Sequence, residues 1–474
     1  MNLGENFPPS ATLLAGFEHQ RAAHGDVAPP TLAERRDRLG RLAALLRENV
    51  DAICEAVDRD FGGRSPAETR LLEIFPALEA IAHARRHLRG WMRTQHARTS
   101  LWFLPGRSRV MPQPLGVVGV VVPWNYPVYL AVGPLVAALA AGNRVMVKMS
   151  ESAPATGALL ARLVQQRFDA AELAIVNGDA DVARAFVALP FDHLLFTGST
   201  AVGRHVMRAA SENLTPVTLE LGGKSPAIVG RGVAVEEAAE RILFGKCLNG
   251  GQTCIAPDYA LVPRERIDAF VAAASATVAR LYPRLATNPD YTSIIDARHH
   301  ARLWGYLEEA RARGARVIPI NPANEDLSAT RKVAPTLVID APDDTRLMRE
   351  EIFGPLLPVI GYDELDGAIA YVNARPRPLA LYVFDYERAA IDRVLERTVS
   401  GGVTVNDTIL HIAQDDLPFG GVGASGMGAY HGRAGFETFS KMKPVFYQPR
   451  LNGLALLKPP YGKRFAWIAK WLTR

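Results

Sequence analysis

Cys254 stands in the run Asn249-Gly250-Gly251-Gln252-Thr253-Cys254-Ile255-Ala256-Pro257, and Glu220 in Thr218-Leu219-Glu220-Leu221-Gly222-Gly223-Lys224. A thiol among small, flexible residues can approach an electrophilic carbon closely. A carboxylate between a strand-like stretch and a Gly-Gly turn can be aimed at whatever that thiol binds. The thiol supplies a nucleophile for a carbonyl carbon, and the carboxylate can activate water to release the acyl group afterwards. Together they predict a thioester-forming enzyme. Taken singly, each residue also has a structural reading. A cysteine beside glycines can simply pack in a turn, its reactivity being set by thiolate pKa and exposure, and Glu220 can simply close a strand.

Three further stretches could assist. Asn125 in Pro123-Trp124-Asn125-Tyr126-Pro127 offers an amide donor of the kind a developing oxyanion needs; the alternative is an Asn-containing proline turn. Phe196-Thr197-Gly198-Ser199-Thr200-Ala201-Val202-Gly203 lies between a strand and a helix, where backbone N–H groups attract phosphate and glycines permit close approach. It is neither the dinucleotide fingerprint nor a P-loop, because Arg204-His205 follows where a P-loop needs Lys-Ser/Thr. A structural turn is its other reading. Lys148 through Glu151 close another strand, where an ammonium and a carboxylate could hold a ribose or merely cap a charged strand end.

The elements that must position these residues follow from periodicity. From about Leu32 to Arg93 the pattern is helical, with Leu39, Leu42, Leu45, Leu46 and Val50 recurring at three- and four-residue steps. Ser100 to Pro114 changes character, and Pro105-Gly106 divides two short runs as in a hairpin or arm. Alternating signals follow: a buried strand Gly116–Val122, an apolar helix Val128–Ala141 ended by Gly142-Asn143, and strands at Arg144–Lys148, Leu173–Val176 and His193–Phe196. Helices at about Ala180–Ala188 and Thr200–Asn213 precede the strand Pro216–Leu221. Repeated β-α-β units predict a parallel sheet covered by helices on both faces, with ligands at the carboxyl ends of its strands. A second α/β region begins with a helix from about Val235 to Leu248 and the cysteine loop, and continues with strands at Tyr259–Val262, Arg316–Pro319, Thr336–Val338 and Leu357–Gly361. The glycine-dense run Leu417–Gly428 is expected to be a loop. The two regions should pack with a cleft between them.

The bulk numbers bound the class. The chain has 474 residues, 48% hydrophobic and 22% charged, which suits two or three globular domains. A net charge of +5, with no dense Lys/Arg block carrying interleaved aromatics, argues against a nucleic-acid partner. The three cysteines, Cys54, Cys247 and Cys254, are too sparse for a disulfide framework and point to a reducing compartment. Neither they nor the doublet His299-His300, expected on the solvated surface, has metal-site spacing, so no metal is expected. Met1–Pro9 shows no basic region followed by an apolar core, and no apolar run reaches spanning length, which reads as cytoplasmic.

From about residue 35 to 449 the chain resembles the aldehyde dehydrogenase superfamily. The resemblance rests on Pro123-Trp124-Asn125, Lys148-Met149-Ser150-Glu151, Phe196-Thr197-Gly198-Ser199-Thr200, Glu220-Leu221-Gly222-Gly223-Lys224-Ser225-Pro226, Gly251-Gln252-Thr253-Cys254, Glu350-Glu351-Ile352-Phe353-Gly354-Pro355 and Leu417-Pro418-Phe419-Gly420-Gly421, in the family's order. It implies Cys254 as nucleophile, Glu220 as the base that activates hydrolytic water, and Asn125 with the Cys254 N–H as the oxyanion hole. For NAD it implies Lys148 and Glu151 on the adenosine ribose, Ser199 at the pyrophosphate and Glu351 with Phe353 at the nicotinamide ribose and ring, with Trp124 and Gly198 as further cofactor-binding residues. Trp124, Tyr126 and Phe419 could also wall the substrate pocket or be plain core. Met149 departs from the family, which commonly has proline there. The implied fold is α/β: a Rossmann-type NAD-binding domain over 1–95 and 116–220, a catalytic domain over 221–428, and bridging elements over 96–115 and 429–449.

Within the superfamily, Thr253-Cys254-Ile255-Ala256-Pro257-Asp258-Tyr259 looks like the class 3 branch, which implies a homodimer. Met146–Glu151 and Gly426-Met427-Gly428-Ala429-Tyr430-His431-Gly432 look most like coniferyl aldehyde dehydrogenases. An aryl aldehyde is therefore the first expected substrate and a medium-chain aliphatic aldehyde the second. NAD is expected ahead of NADP, because Glu151 would repel a 2′-phosphate, with NADP also accepted. The rivals are an acylating enzyme that passes the thioester to coenzyme A and a non-catalytic structural or membrane-associated descendant. The tail Arg450–Arg474 carries six basic and no acidic residues. It reads as a basic amphipathic helix lying on an anionic membrane surface or docked on the dimer partner.

Overall fold

A computed structural model describes residues 11–25, 28–453 and 458–473. The expected leader-free start, Met1–Pro9, and part of the tail, residues 454–457 and 474, lie outside the described residues.

The helical stretch after Leu32 is several helices rather than one. Thr31 caps the first, Leu32–Glu48, in a reciprocal capping box with Glu34, and Leu39, Leu42, Leu45 and Leu46 are buried along it. Val50–Phe61 ends where Gly62 takes φ 62°, a left-handed cap that glycine adopts without steric cost. After the short helix Pro66–Thr69, a π-turn at Arg70–Ile74 leads into Phe75–Trp91. A helix that the periodicity did not single out, Ala11–Gly25, precedes them all.

Two parallel-based sheets carry the chemistry. The first has six strands in the order Gly426–Met427, Val217–Leu221, His193–Gly198, Val117–Val121, Arg144–Lys148, Leu173–Val176, all parallel except the first. Residues 426 and 427 correct the expectation of an uninterrupted loop. They pair antiparallel with Leu219 and Glu220, because Gly426 at φ 141° lets the backbone approach the Leu219 carbonyl. The helix Tyr129–Ala141 is buried on every side, as its uniformly apolar composition requires, and stops at Gly142 with φ 93°. The second sheet has seven strands in the order Arg316–Pro319, Thr336–Ile339, Leu356–Tyr362, Tyr259–Pro263, Pro226–Val229, Ala380–Phe384, Gly402–Val405, with only the first antiparallel. Gln95–Ala97, Arg107–Pro114 and Ser440–Tyr447 form a third, antiparallel sheet set apart as an arm.

Candidate active site

Each sheet delivers part of one site. Glu220 sits near the carboxyl end of its strand, in register with Thr197 on one side and Gly426 on the other. Asn125 comes from the loop that follows Val117–Val121. Cys254 comes from the connection between the helix Val235–Cys247 and the strand Tyr259–Pro263. That connection needs its glycines. Gly251 has φ 76°, and a Cβ there would lie 2.3 Å from the Gly354 carbonyl, so only glycine lets the cysteine loop press against the Glu350–Pro355 segment.

Trp124, Asn125, Gly198, Ser199, Glu220, Cys254, Glu351 and Phe353 line one cavity of about 290 Å³. Lys148 and Glu151 do not. The buried Lys148 ammonium donates to the carbonyls of Met149 at 2.7 Å and Gly178 at 2.8 Å, while Glu151 is exposed. Two of its three N–H groups are thereby used. Ser199 caps the helix Thr200–Ser211 by accepting from the Val202 N–H at 3.4 Å, which leaves its hydroxyl proton to donate.

Burial acts against the charged forms of Cys254, Glu220 and Glu351. Burial pushes the Cys254 thiol pKa up, and the Glu351 and Glu220 carboxylates push it further; the N–H groups of Cys254 and Ile255 oppose them. Both Glu220 oxygens are buried without a hydrogen-bond partner in the described structure, and burial raises its pKa well above the ordinary carboxylate range. Burial pushes Glu351 up to about 8, helped by the nearby Asp258 charge. Cys247 differs from Cys254 in access: it is buried on its helix and does not line the cavity, whereas Cys254 is half-buried in the cavity wall.

Two observations suit this cavity to part of a dinucleotide. The helix Thr200–Ser211 presents its N-terminus at the lining residues Gly198 and Ser199. Buried Thr197 Oγ1 and Glu351 Oε1 have no partner in the described structure and suit ligand hydroxyls. Gly222 lets the Glu351 carboxyl lie against the backbone of the lining, since a Cβ there would lie 1.9 Å from Glu351 Oε2. Phe353 is held at φ 49° with its ring against Trp124 at 5.4 Å, a strained backbone of the sort that clusters at ligand clamps.

His299 corrects the expectation of a solvated doublet. Asp296 caps the helix Ala297–Ala312 and accepts from the His299 N–H at 2.7 Å. Its carboxylate also lies 2.8 Å from His299 Nδ1, and the imidazole packs 5.0 Å from Trp124 in the cavity wall.

The support beneath the site was not legible in the motifs. Asn125 donates its side-chain amide to the Gln252 carbonyl at 3.1 Å, leaving its second amide N–H to act elsewhere. Its own carbonyl accepts from Arg64 Nη1 at 3.1 Å and Asn249 Nδ2 at 2.9 Å. Arg64, 1% exposed, faces Glu68 at 3.7 Å and Glu73 at 3.6 Å and lies over the Phe61 and Tyr126 rings. Glu68 accepts from the Asn249 N–H at 3.0 Å, and Glu73 from the Val128 N–H at 2.7 Å. Tyr126 meets the Thr253 hydroxyl at 2.6 Å, so it steadies the cysteine loop. The available signal was an arginine followed by glutamates four and nine residues later inside a helical stretch.

Behind the cysteine lies an aromatic cluster. Phe419 stacks with His411 at 6.0 Å and His431 at 5.1 Å and meets Tyr430 edge-on. Burial lowers the pKa of His411 to about 4 and His431 to about 3, so both are neutral at pH 7. The Tyr430 hydroxyl, His411 Nε2 and His431 Nδ1 are buried with no partner in the described structure. Tyr430 is close enough to Glu220 and Cys254 for their charges to add to the burial that raises its pKa.

The model of the Aldehyde dehydrogenase family matches residues 14–445. A probable coniferyl aldehyde dehydrogenase of Pseudomonas aeruginosa is 55% identical over 95% of this chain and 94% of its own length. A coniferyl aldehyde dehydrogenase of a Pseudomonas species is 50% identical over 97% and 96%. Among solved structures, the substrate-bound state of Staphylococcus aureus AldH has a TM-score of 0.91 at 37% identity, covering 97% of this chain and 99% of its own. A Mycobacterium tuberculosis aldehyde dehydrogenase complexed with NAD+ has a TM-score of 0.83 at 29% identity, covering 93% and 90%. The chain belongs to the aldehyde dehydrogenase family and is an NAD(P)-dependent oxidoreductase acting on the aldehyde group.

Proposed function

We propose that the site oxidises an aryl aldehyde of the cinnamyl type, coniferyl aldehyde first, to its carboxylic acid, with Cys254 as nucleophile and Glu220 as hydrolytic base. What carries this reading is that Cys254 and a buried, unpartnered carboxyl share one cavity. Cys254 Sγ attacks the carbonyl carbon as the thiolate, its proton having passed to water, and the charge on the resulting oxygen is met by the free Asn125 amide N–H and the Cys254 N–H. NAD bound in the cavity supplies the acceptor for the hydride, and an acyl thioester remains on Cys254. Glu220, once ionised, takes a proton from water; the water oxygen attacks the acyl carbon and the Cys254 thiolate leaves. An acceptor other than water, such as coenzyme A, would leave Glu220 without a task.

Glu351 and Phe353 hold the nicotinamide half, with Trp124 as the facing ring. Ser199 and the Gly198 backbone meet the pyrophosphate, and Lys148 keeps one N–H for the adenosine ribose, beside Glu151. This assigns NAD binding to residues 1–95 and 116–220 and catalysis to 221–428, with 96–115 and 429–449 as bridging elements of a homodimer. The three unpaired cysteines suit a cytoplasmic enzyme.

Trp124 gives the cavity that holds Cys254 an aromatic wall on which an aryl substrate can stack. The relatives named for coniferyl aldehyde, at 50–55% identity, support the same choice. The test is kcat/KM for cinnamyl-type, benzylic and straight-chain aldehydes with NAD and with NADP. Coniferyl aldehyde with NAD should rank first; a higher value for a medium-chain alkanal would overturn the aryl assignment.

A further inference from the structure

Glu220 has to give up a proton before it can act, and again after each hydrolysis. Its carboxyl is 3% exposed, both oxygens lack a partner among the described residues, and burial favours the protonated form. It opens on the cavity that substrate and dinucleotide fill during turnover, so that side is closed to bulk water while the thioester exists. The proton therefore needs another way out.

The segment after Gly426 supplies one. Gly426 pairs with Glu220, and the backbone turns at Gly428, φ 84°, to bring Tyr430 within reach of the Glu220 charge. The Tyr430 ring packs on the helix Tyr129–Ala141, where a Cβ on Gly133 would lie 3.1 Å from it. Tyr430, His431, Tyr129 and Asp415 line a separate cavity of about 20 Å³. One water needs about 10–15 Å³ and two to four polar partners. Two lining residues carry buried atoms with no partner among the described residues, the Tyr430 hydroxyl and His431 Nδ1. Asp415 is half-buried, so it joins this cavity to solvent. Burial raises the Asp415 pKa, His83 opposing and Glu79 and Asp416 adding, which makes it a better proton acceptor than an ordinary surface carboxylate. His431, whose pKa burial lowers to about 3, can hold the water without keeping its proton.

We propose, on the reading of Glu220 as hydrolytic base, that Tyr430, one water in this cavity and Asp415 carry the Glu220 proton to bulk solvent. The Glu220 and Tyr430 oxygens are not hydrogen-bonded to each other, so a bridging water joins them. Through it the Glu220 O–H proton passes to the Tyr430 oxygen while Tyr430 releases its own proton to the cavity water. That water passes one proton to the Asp415 carboxylate, which loses it to solvent. Every O–H bond broken is matched by one formed, and no group is oxidised or reduced. Tyr430 and Asp415 are positioning residues that act through Glu220.

The test follows the acyl group on Cys254 by quenched-flow intact-protein mass spectrometry, beside the NADH burst by stopped-flow absorbance. Tyr430→Phe keeps the ring and removes the hydroxyl. Its burst should match the wild type in rate and amplitude, while the acyl group leaves Cys254 about 10-fold more slowly, short of the ~100-fold scale of losing the base itself. Asp415→Asn should slow the same step, and added imidazole should restore it in proportion to concentration, because a mobile base replaces the fixed one. Wild-type deacylation in Tyr430→Phe overturns the proposal. So does an equal loss of burst and deacylation, or an Asp415→Asn deficit that imidazole leaves unchanged. Glu220→Gln measured alongside separates the two readings. A stalled acyl-enzyme there with normal deacylation in Tyr430→Phe removes only the proton route, whereas normal deacylation in Glu220→Gln removes the base as well.

Discussion

Arg64→Met asks whether the buried ion network holds the oxyanion donor. The guanidinium lies 3.7 Å from Glu68 and 3.6 Å from Glu73, and the side chains of Arg64 and Glu73 have no exposed surface. Methionine keeps the contacts with Phe61 and Tyr126 but leaves two buried carboxyls without their cation. Breaking a buried pair from one side costs ~3–5 kcal/mol, a large share of the ~5–15 kcal/mol that stabilises a typical fold. Burial raises both carboxyl pKa values and Arg64 pulls them down. Without Arg64 they rise further. A carboxyl whose folded pKa exceeds its unfolded 4.5 is favourable at low pH and loses that contribution as pH rises towards the folded value. The variant's deficit should therefore be smallest near pH 4.5 and grow as pH rises. Urea unfolding followed by tryptophan fluorescence across that range measures it, and Glu73→Gln in the variant background should recover part of the loss. Because Arg64 also donates to the Asn125 carbonyl, kcat should fall at least ~10-fold on the folded fraction, the scale of a small misplacement of a reacting group. A deficit below ~0.5 kcal/mol, the level of an ordinary surface substitution, or one independent of pH, refutes the reasoning.

Two other outcomes follow from the cavity. Turnover should rise with pH above the ordinary carboxylate range, because Glu220 must ionise to act and burial holds its pKa high; a pH–kcat profile already flat from pH 5 would contradict this. Cys254→Ala should abolish aldehyde oxidation with NAD binding retained, while Cys247→Ala and Cys54→Ala keep activity. An active Cys254→Ala beside a dead Cys247→Ala in an NADH absorbance assay would move the nucleophile to the helix.

Local signals carried much of the architecture. The strand Val117–Val121, the helix Tyr129–Ala141 and the glycine-flanked cysteine loop are written in runs of under twenty residues, where periodicity and turn chemistry act directly. Several site residues were visible because strand ends and glycine turns mark where a parallel sheet presents its ligands. Lys148 and Glu151 do not line the cavity, and the Lys148 ammonium donates to two carbonyls, a choice no motif encodes. Arg64 escaped for a related reason: its partner, the Asn125 carbonyl, is 61 residues away and any residue could have supplied it. Gly426–Met427 looked like loop because glycine has poor strand propensity, yet close approach to Leu219 and Glu220 is what its missing Cβ allows.

Glu220→Gln tests the mechanism most directly. Glutamine keeps the shape of the buried side chain but cannot take a proton from water. Acylation should therefore survive while deacylation slows by at least ~100-fold, the usual scale of general-base loss. Mixing the variant with aldehyde and NAD in a stopped-flow instrument should give an NADH burst near one per active site, then very slow turnover. Intact-protein mass spectrometry should find the acyl group on Cys254. Normal turnover, or neither burst nor adduct, would contradict the assignment of Glu220 as the base that releases the product.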